Sequence, residues 1–513
     1  MTKGRFTLPA AVAVALALAT FGFKLTSAAA PSAPRDIASA SAKGIYHAIA
    51  LPGRVTLRQI DGGLNYYSHI SPQSAWMDSH ILLGAWQEQP LTAADVRIDV
   101  ALGNNIYWNL AGDPLNTRDC GGVQPCRVNY NVIRAAGMHV TGPDVTAASG
   151  AETVAYAGTD EPDMQFGPGS SGWNPNGPYD PSSCIPSGSA CGYTVARFFY
   201  TGLPAAYGPT GYPSHKKPVI QGFGKGVLFW ESDSQAKTFL KYSDTLSADS
   251  YWMTDADLDV ASQGGCALLP LSSTACGDYG GVGLTTAQRA LSANYAYNVT
   301  ALEQLNGHSK PITVDVETGC PGGNGGCTNP ASMKSAAWHA LIAGARGIIW
   351  FQHNFSGPCV DFNTFYDGWK PDSPMYGCDQ TRGITLHTVD EHVSAFNHEV
   401  ASLNKVLLAP FAENYVSVGN ADVSVMAKYS AGRFYVFAAS GKPTLRPRVN
   451  QSVTFRLADK YTGPVTLINE HRVIHAVNGV FTDRFLNANS VHVYKIGKLL
   501  HGGRTQGGGP GGP

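Results

Sequence analysis

The sequence predicts an α/β protein: a (β/α)8 TIM barrel followed by a C-terminal antiparallel β-sandwich domain. Three observations carry this. Between residues 80 and 400, short apolar runs of strand length alternate with helical patterns, and eight strand runs can be counted. Eight such units imply parallel strands joined by right-handed crossovers and closed into a barrel. After Pro410 the alternation stops; short β-rich runs follow, with Gly, Asn and Pro turns and no room for helices. The chain is 513 residues long and 43% hydrophobic, enough for one large barrel with an appendage.

The strands are read at 80–86, 105–110, 138–141, 153–158, 218–223, 250–253, 311–316 and 347–351, the fifth and sixth being the least marked. Helices are read at 93–102, 130–137, 286–305, 333–344 and 390–407, from apolar residues at helical spacing and, at Gly137, a C-terminal stop. Beyond Pro410 the β runs are 416–428, 433–438, 453–457, 465–469 and 491–496. The strand-like run at 54–57 is expected to pack beside them. The expected division is a signal peptide over 1–30, a mobile Ala/Ser/Pro-rich leader over 31–45, and the barrel with an N-terminal strand extension over 46–409. The sandwich follows over 410–498, with a Gly-rich disordered tail over 499–513.

Composition narrows the function classes. Charged residues are 14% of the chain and the net charge is −1, so there is no basic field to attract nucleic acid. The 58 glycines and 32 prolines fit long, shaped loops. Lys3 and Arg5 precede an uncharged run from Phe6 to Phe23, and small residues surround Ala28 and Ala30. This is the pattern of a secretory signal cleaved after one of those alanines. The rival reading is a retained membrane anchor, against which Lys24 closes the run early. No second long apolar run follows, so the mature chain is expected to be secreted, extracellular, free of the membrane and monomeric.

The ten cysteines fall into neighbouring couples: Cys120 and Cys126, Cys184 and Cys191, Cys266 and Cys276, Cys320 and Cys327, Cys359 and Cys378. Gly, Pro, Ser, Asn or Asp lie between the members of each couple. No C-x2-C spacing or paired His accompanies them, so disulfides closing local loops are favoured over metal, and sequential pairing is the simplest arrangement. Neither a metal nor any cofactor is expected.

Barrel enzymes carry their reactive groups at the C-terminal ends of the strands. The fourth strand runs into Gly158-Thr-Asp-Glu161-Pro162, and the seventh into Asp315-Val-Glu317-Thr-Gly319. Strands four and seven lie across the mouth of an eight-stranded barrel. Two carboxyls facing each other there suit glycoside hydrolysis, one protonating the leaving oxygen and the other attacking the anomeric carbon.

On these residues the chain resembles clan A of the retaining (β/α)8 glycoside hydrolases. That clan has an acid/base Glu after strand four, a nucleophile Glu after strand seven and a Trp on strand eight. The opening Leu83-Gly-Ala-Trp86-Gln-Glu88 and the segment Gly344-Ala-Arg-Gly-Ile-Ile-Trp350 are similar to exported members, many of which carry a C-terminal β-sandwich. The resemblance covers roughly 80–400. It implies Glu161 as general acid/base, Glu317 as nucleophile and Trp350 as a sugar-stacking platform. The clan's Asn before the acid/base, whose amide bonds the sugar 2-hydroxyl, is Asp160 here. A carboxylate accepts that bond but cannot donate one, and its charge is expected to raise the pKa of Glu161.

Further substrate-binding candidates lie on or just beyond strands: Trp86, Trp108, Asn109, Asp144, Trp252, Asp255 and His353. The indoles suit apolar sugar faces and the polar groups suit hydroxyls. The expected partner is an oligo- or polysaccharide. Two rivals stand beside this reading. One is a catalytically silent carbohydrate-binding barrel, for which Asp160 would be a symptom. The other is an inverting or non-glycosidic hydrolase using Asp160, Asp255 or Asp257, with carboxyls ~6.5–9.5 Å apart in place of ~5–5.5 Å. Sugar, linkage and endo or exo action are not encoded legibly.

Overall fold

The computed structural model describes residues 45–47, 55–86, 90, 92–108, 129–142, 150–158, 161–164, 196–197, 200, 217–230, 233–259, 284–321, 326–360, 364–373, 375–381, 383–419, 421–443, 445, 447–497. The signal segment, the leader and the tail lie outside these residues. So do Cys120, Cys126, Cys184, Cys191, Cys266 and Cys276.

Eight parallel strands form a closed barrel. After β1 (Ile45–His47) and β2 (Thr56–Gln59), they are β3 (Leu82–Trp86), β4 (Ile106–Trp108), β5 (His139–Thr141), β6 (Thr153–Ala157), β7 (Val219–Phe223), β8 (Thr245–Ala248), β9 (Ile312–Glu317) and β10 (Gly347–Phe351). β10 pairs with both β9 and β3, which shuts the ring. Helix α1 (Tyr66–Ile70) precedes the barrel. Around and after it run α2 (Ala93–Ala101), α3 (Tyr130–Ala135), α4 (Asp233–Leu240), α5 (Thr286–Arg289), α6 (Tyr295–Asn306), α7 (Pro330–Ala343), α8 (Thr364–Trp369), α9 (Leu386–Ser402) and α10 (Asn404–Leu407). A two-stranded ribbon, β11 (Asp379–Thr381) with β12 (Ile384–Thr385), lies between α8 and α9.

Local chemistry explains the helix ends. Thr92 and Asp95 form a capping box at the start of α2. At α7, Pro330 takes the first turn, where its missing N–H is not needed, and the Asn329 side chain accepts from Ala331 N. Gly344 ends α7 at φ 124°, where a Cβ would stand 2.6 Å from Ile60 Cδ1.

The inside of the barrel is layered. Tyr67 and Met77, from α1 and the 3-10 segment Pro72–Asp78, are buried against Leu82, Ile106, Val154, Ile220 and Ile349 and plug the N-terminal end. Gly84 leaves room there: a Cβ would meet Ile349 and Ile106 at 3.0–3.1 Å. On β8, β9 and β10 the odd-numbered residues Thr245, Ser247, Thr313, Asp315, Glu317, Ile349 and Phe351 form one face. Leu246, Ala248, Ile312, Val314, Val316, Ile348 and Trp350 form the other, packed in the helix layer.

The sixth strand departs from expectation: it is Thr245–Ala248, not 250–253. The hydroxyls of Thr245 and Ser247 are satisfied inside the barrel, by Tyr67 and Asp315 respectively, so a run that looks polar in sequence is wholly buried. The apolar Tyr-Trp-Met run expected there is instead the turn that follows.

Beyond the barrel come β13 (Phe411–Glu413), β14 (Val416–Val418), β15 (Val423–Ser430), β16 (Arg433–Ser440), β17 (Gln451–Leu457), β18 (Gly463–Leu467), β19 (Arg472–Ala476), β20 (Val480–Phe485) and β21 (Val491–Ile496). They make an antiparallel sheet ordered β1-β2-β13-β15-β16-β21-β18-β19 and a second sheet β14-β17-β20. β2 joins β13 antiparallel, so the N-terminal segment belongs to the sandwich sheet rather than to the barrel. The run at 416–428 is two strands in different sheets. β20 alternates exposed and buried residues, β19 exposed and partly exposed ones, and neither is among the expected runs.

A buried ionic group lies where barrel and sandwich meet. Arg346 and Asp61, 3% and 1% exposed, pair at 2.8 Å. Burial lowers the Lys428 ammonium to about 7, while Asp61 acts to raise it and Arg346 to lower it further. Burial also raises the Glu303 carboxyl, and Asp61 adds to that shift. The ring of Phe411 lies under Lys428 Nζ at 3.2 Å. Removing one member of a buried pair strands the other charge. Asp61→Ala is therefore expected to destabilise the fold by about 3–5 kcal/mol in urea unfolding, and Asp61→Ala with Arg346→Met by less than Asp61→Ala alone.

Candidate active site

Glu161 and Glu317 both stand at the C-terminal mouth. Glu161 follows β6 in a turn at 161–164 and is half-buried. Its φ of 37° is in the left-handed region, which costs a non-glycine residue about 1 kcal/mol or more and persists only where the surroundings enforce it. The enforcing contacts come from the segment after β7. Asp163, 3% exposed, accepts from Gly224 N at 3.1 Å and Val227 N at 2.7 Å. Lys225 N approaches Met164 Sδ at 3.1 Å. Gly224 is a close-approach glycine: a Cβ would lie 2.5 Å from Glu161 Oε1 and 2.7 Å from Met164 Cγ.

Glu317 ends β9 and is fully buried. Its Oε1 accepts from Met253 N at 3.0 Å, Thr254 N at 3.1 Å and Thr254 Oγ1 at 3.3 Å; Oε2 accepts from the Tyr295 hydroxyl. Burial pushes its pKa up to about 7, against the lowering effect first of Tyr295 and then of the backbone donors and Thr254. The turn after β8 thus clamps the Glu at the end of β9. Tyr251 starts that turn. Burial raises its phenol well above 10, and Asp249, Asp315 and Glu161 act in the same direction.

The aromatic candidates divide by strand parity. Trp86 is partly exposed at the end of β3, its ring 4.9 Å from Phe351 and 5.6 Å from His353. His353 Nε2 lies 3.2 Å from Trp86 O, so both are at the seam between β3 and β10. Trp108 is 5% exposed and packs with the barrel plug. Trp350 and Trp252 correct the expectation of sugar contact. Both are fully buried in the helix layer, where Trp350 Nε1 donates to Asn397 at 3.0 Å and Trp252 Nε1 to Asn298 at 2.9 Å. One residue along β10, Phe351 has the inward parity that the sequence reading gave to Trp350. Asp255 is paired with Lys225 Nζ at 2.9 Å, which bridges the segments after β7 and β8. Asp160, Asn109 and Asp144 lie outside the described residues.

Among the described residues, two disulfides lie at the mouth. Cys320–Cys327 follows β9 and Cys359–Cys378 follows β10. Asn354 joins them: Oδ1 accepts from Cys320 N at 2.6 Å and Nδ2 donates to Cys359 O at 3.0 Å. Sequence reasoning missed Asn354, Tyr251, Phe351, Asp163 and Gly224. The parity of β10 could have found Phe351, since alternate residues of a strand face opposite ways. Among the described residues no group of three or more His, Cys, Asp or Glu could hold a metal ion.

The fold and site define an α/β barrel with two carboxyls, Glu161 and Glu317, at its C-terminal mouth and a β-sandwich after it. No protein-family model matches the chain, and no curated protein does. Among solved structures it is similar to a GH30 endoxylanase from Clostridium papyrosolvens, at 13% identity and TM-score 0.39, over 82% of this chain and 96% of that one. It is also similar to an Anoxybacillus alpha-amylase, at 10% identity and TM-score 0.40, over 82% of this chain and 98% of that one. A third is an alpha-amylase from Geobacillus thermoleovorans complexed with acarbose, at 11% identity and TM-score 0.38, over 83% and 99% of the two chains.

Three outcomes follow from this geometry. Gly224→Ala places a methyl where the Glu161 carboxyl lies; a displacement of about 1 Å there is expected to lower kcat by roughly 100-fold with little loss of stability, read by kinetics beside thermal unfolding. A reacting Glu317 must be ionised, so the acid limb of kcat/KM against pH is expected at about 7. Tyr295→Phe removes a bond that favours the ionised form and is expected to move that limb upward by about one pH unit.

Proposed function

We propose that this chain is a secreted glycoside hydrolase that cleaves O-glycosidic bonds of an oligo- or polysaccharide by retaining double displacement. Glu161 is the general acid/base and Glu317 the nucleophile. The observation that carries this is the placement of the two carboxyls at the ends of β6 and β9, the fourth and seventh barrel strands, one half-buried on a strained turn and the other clamped by four donors. The first step forms a bond from Glu317 to the anomeric carbon as the Glu161 proton passes to the leaving oxygen. Water then breaks the glycosyl ester with Glu161 acting as base. Three donors fix Oε1 and Tyr295 holds Oε2, so the attacking oxygen becomes available when substrate displaces one of these bonds.

Export is supported by the 1–30 signal pattern and by the disulfides Cys320–Cys327 and Cys359–Cys378. Among the described residues no helix is long and apolar enough to cross a membrane. The mature protein acts as a monomer.

A second reading is favoured by one observation: Glu317 is 0% exposed, as a purely structural carboxyl would be. On that reading the mouth binds carbohydrate without cleaving it. Replacement separates the two. Glu317→Gly is expected to abolish turnover of an aryl glycoside, and added azide to restore it by forming a glycosyl azide of inverted configuration. Glu161→Gln is expected to lose most on substrates with poor leaving groups, since good ones need little protonation. Full wild-type turnover in Glu317→Gly would end the nucleophile assignment, and an inverted first-formed product of the wild type, seen by NMR, would end the retaining mechanism.

A further inference from the structure

Phe355 is a large apolar side chain left 47% exposed, four residues past the end of β10. It is held from both sides. Its neighbour Asn354 is bonded to both disulfide-closed segments, through Cys320 N and Cys359 O. Its other neighbour, Ser356, donates to Cys320 O from N at 3.2 Å and from Oγ at 3.0 Å. Beneath it, the His353 ring lies parallel within 4° at 5.9 Å, and the edge of Phe351 meets it at 5.9 Å. An exposed aromatic ring whose backbone is fixed loses little freedom on contact with a ligand, which is how rigid aromatic anchors bind.

The ring continues a strip that starts at the reacting groups. Tyr251 opens the turn whose Met253 N and Thr254 N donate to Glu317 Oε1 at 3.0 and 3.1 Å. The Tyr251 ring stands 5.0 Å from Phe351, which in turn touches Trp86 at 4.9 Å and Phe355 at 5.9 Å. Each step is about the length of one pyranose ring. Phe351 is 5% exposed and Phe355 47%, so the strip opens from Phe351 outward to Phe355.

We propose that Phe355 is the platform of an outer sugar subsite, binding a second unit of an oligosaccharide beyond the unit held at the carboxyls. The inference rests on the glycoside hydrolase reading and deepens it. Phe has no polar tip, so it offers only its π-face, which attracts the C–H groups of a sugar. It therefore takes a pyranose that presents an unbroken face of C–H groups, as gluco- and xylo-configured units do. The fixed position past β10 makes the subsite part of the wall rather than of a moving lid.

The test compares Phe355→Ala and Phe355→Trp with the wild type, using an aryl monoglycoside and xylo- and gluco-oligosaccharides of two to six units. Phe355→Ala is expected to raise KM about tenfold on the oligosaccharides, with kcat kept and the aryl monoglycoside unaffected. Phe355→Trp is expected to restore the wild-type KM. Oligosaccharide binding is followed in parallel by titration calorimetry. Wild-type turnover that Phe355→Ala leaves unchanged on every chain length overturns the subsite and leaves the catalytic reading standing. Binding that needs Phe355, without turnover of any substrate, supports the subsite and ends the catalytic reading. Equal loss on the monoglycoside and the oligosaccharides, or no binding at all, overturns the subsite.

Discussion

The molecule depends on one seam, the pairing of the last barrel strand with the first. β10 and β3 run parallel from Gly347 opposite Leu82 to Trp350 opposite Ala85. At the bottom, Leu82 N donates to Arg346 O at 3.0 Å, and the Arg346 guanidinium meets Asp61 in a buried pair. At the top, Gln352 Nε2 donates to Trp86 O at 2.5 Å. A parallel sheet left open here would expose both edges and release the mouth, because the groups after β9 and β10 are aligned only by closure. Gly347 makes the close packing possible: a Cβ there would meet Leu82 and Thr313 below 3 Å.

The mouth is built by segments that hold one another. The turn after β6 that carries Glu161 is tied by Asp163 to the segment after β7. That segment reaches through Lys225 to Asp255 after β8, and the same β8 turn clamps Glu317. Each carboxyl is therefore oriented by the strand next to its own. Two opposed effects act on Glu317: burial disfavours its charge, while hydrogen bonds favour it, and burial wins by enough to bring ionisation to the neutral range. A carboxyl poised there can change protonation state near neutral pH, which a solvated Glu does not.

The sandwich is more than an appendage. Met426, Phe437, Ala439 and Val493 belong to the same core as the barrel helices, and the Trp338 ring of α7 lies 5.9 Å from Phe437 of β16. His339 Nε2 meets Ser440 O at 3.0 Å. β1 and β2 start the sandwich sheet before the barrel begins, so the chain leaves this sheet, builds the barrel and returns. This explains why buried charges gather at the junction. Arg346, Asp61, Glu303 and Lys428 come from distant parts of the chain and are dry only when both layers are in place.

What could be read directly from the chain was periodic or local. Strands such as Ile312–Glu317 and Gly347–Phe351 are short apolar runs, and a strand-end Glu beyond one of them is legible wherever the run is. Cysteines seven and nineteen residues apart pair as neighbours. The reading failed where burial is polar or contacts are distant. Thr245–Ala248 hides hydroxyls that only Tyr67 and Asp315 make tolerable, and Trp350 looked like a platform until strand parity turned it outward. The close approach of Gly224 to Glu161, the bond from Met253 to Glu317 across 64 positions and that from Cys320 to Asn354 across 34 join residues of different loops. Amino-acid order by itself determined the alternation of strands and helices, and with it where the barrel strands end, the sixth excepted. The tertiary structure alone decided which side chains meet, because closing a barrel brings together loop ends whose spacing along the chain carries no record of their distance in space.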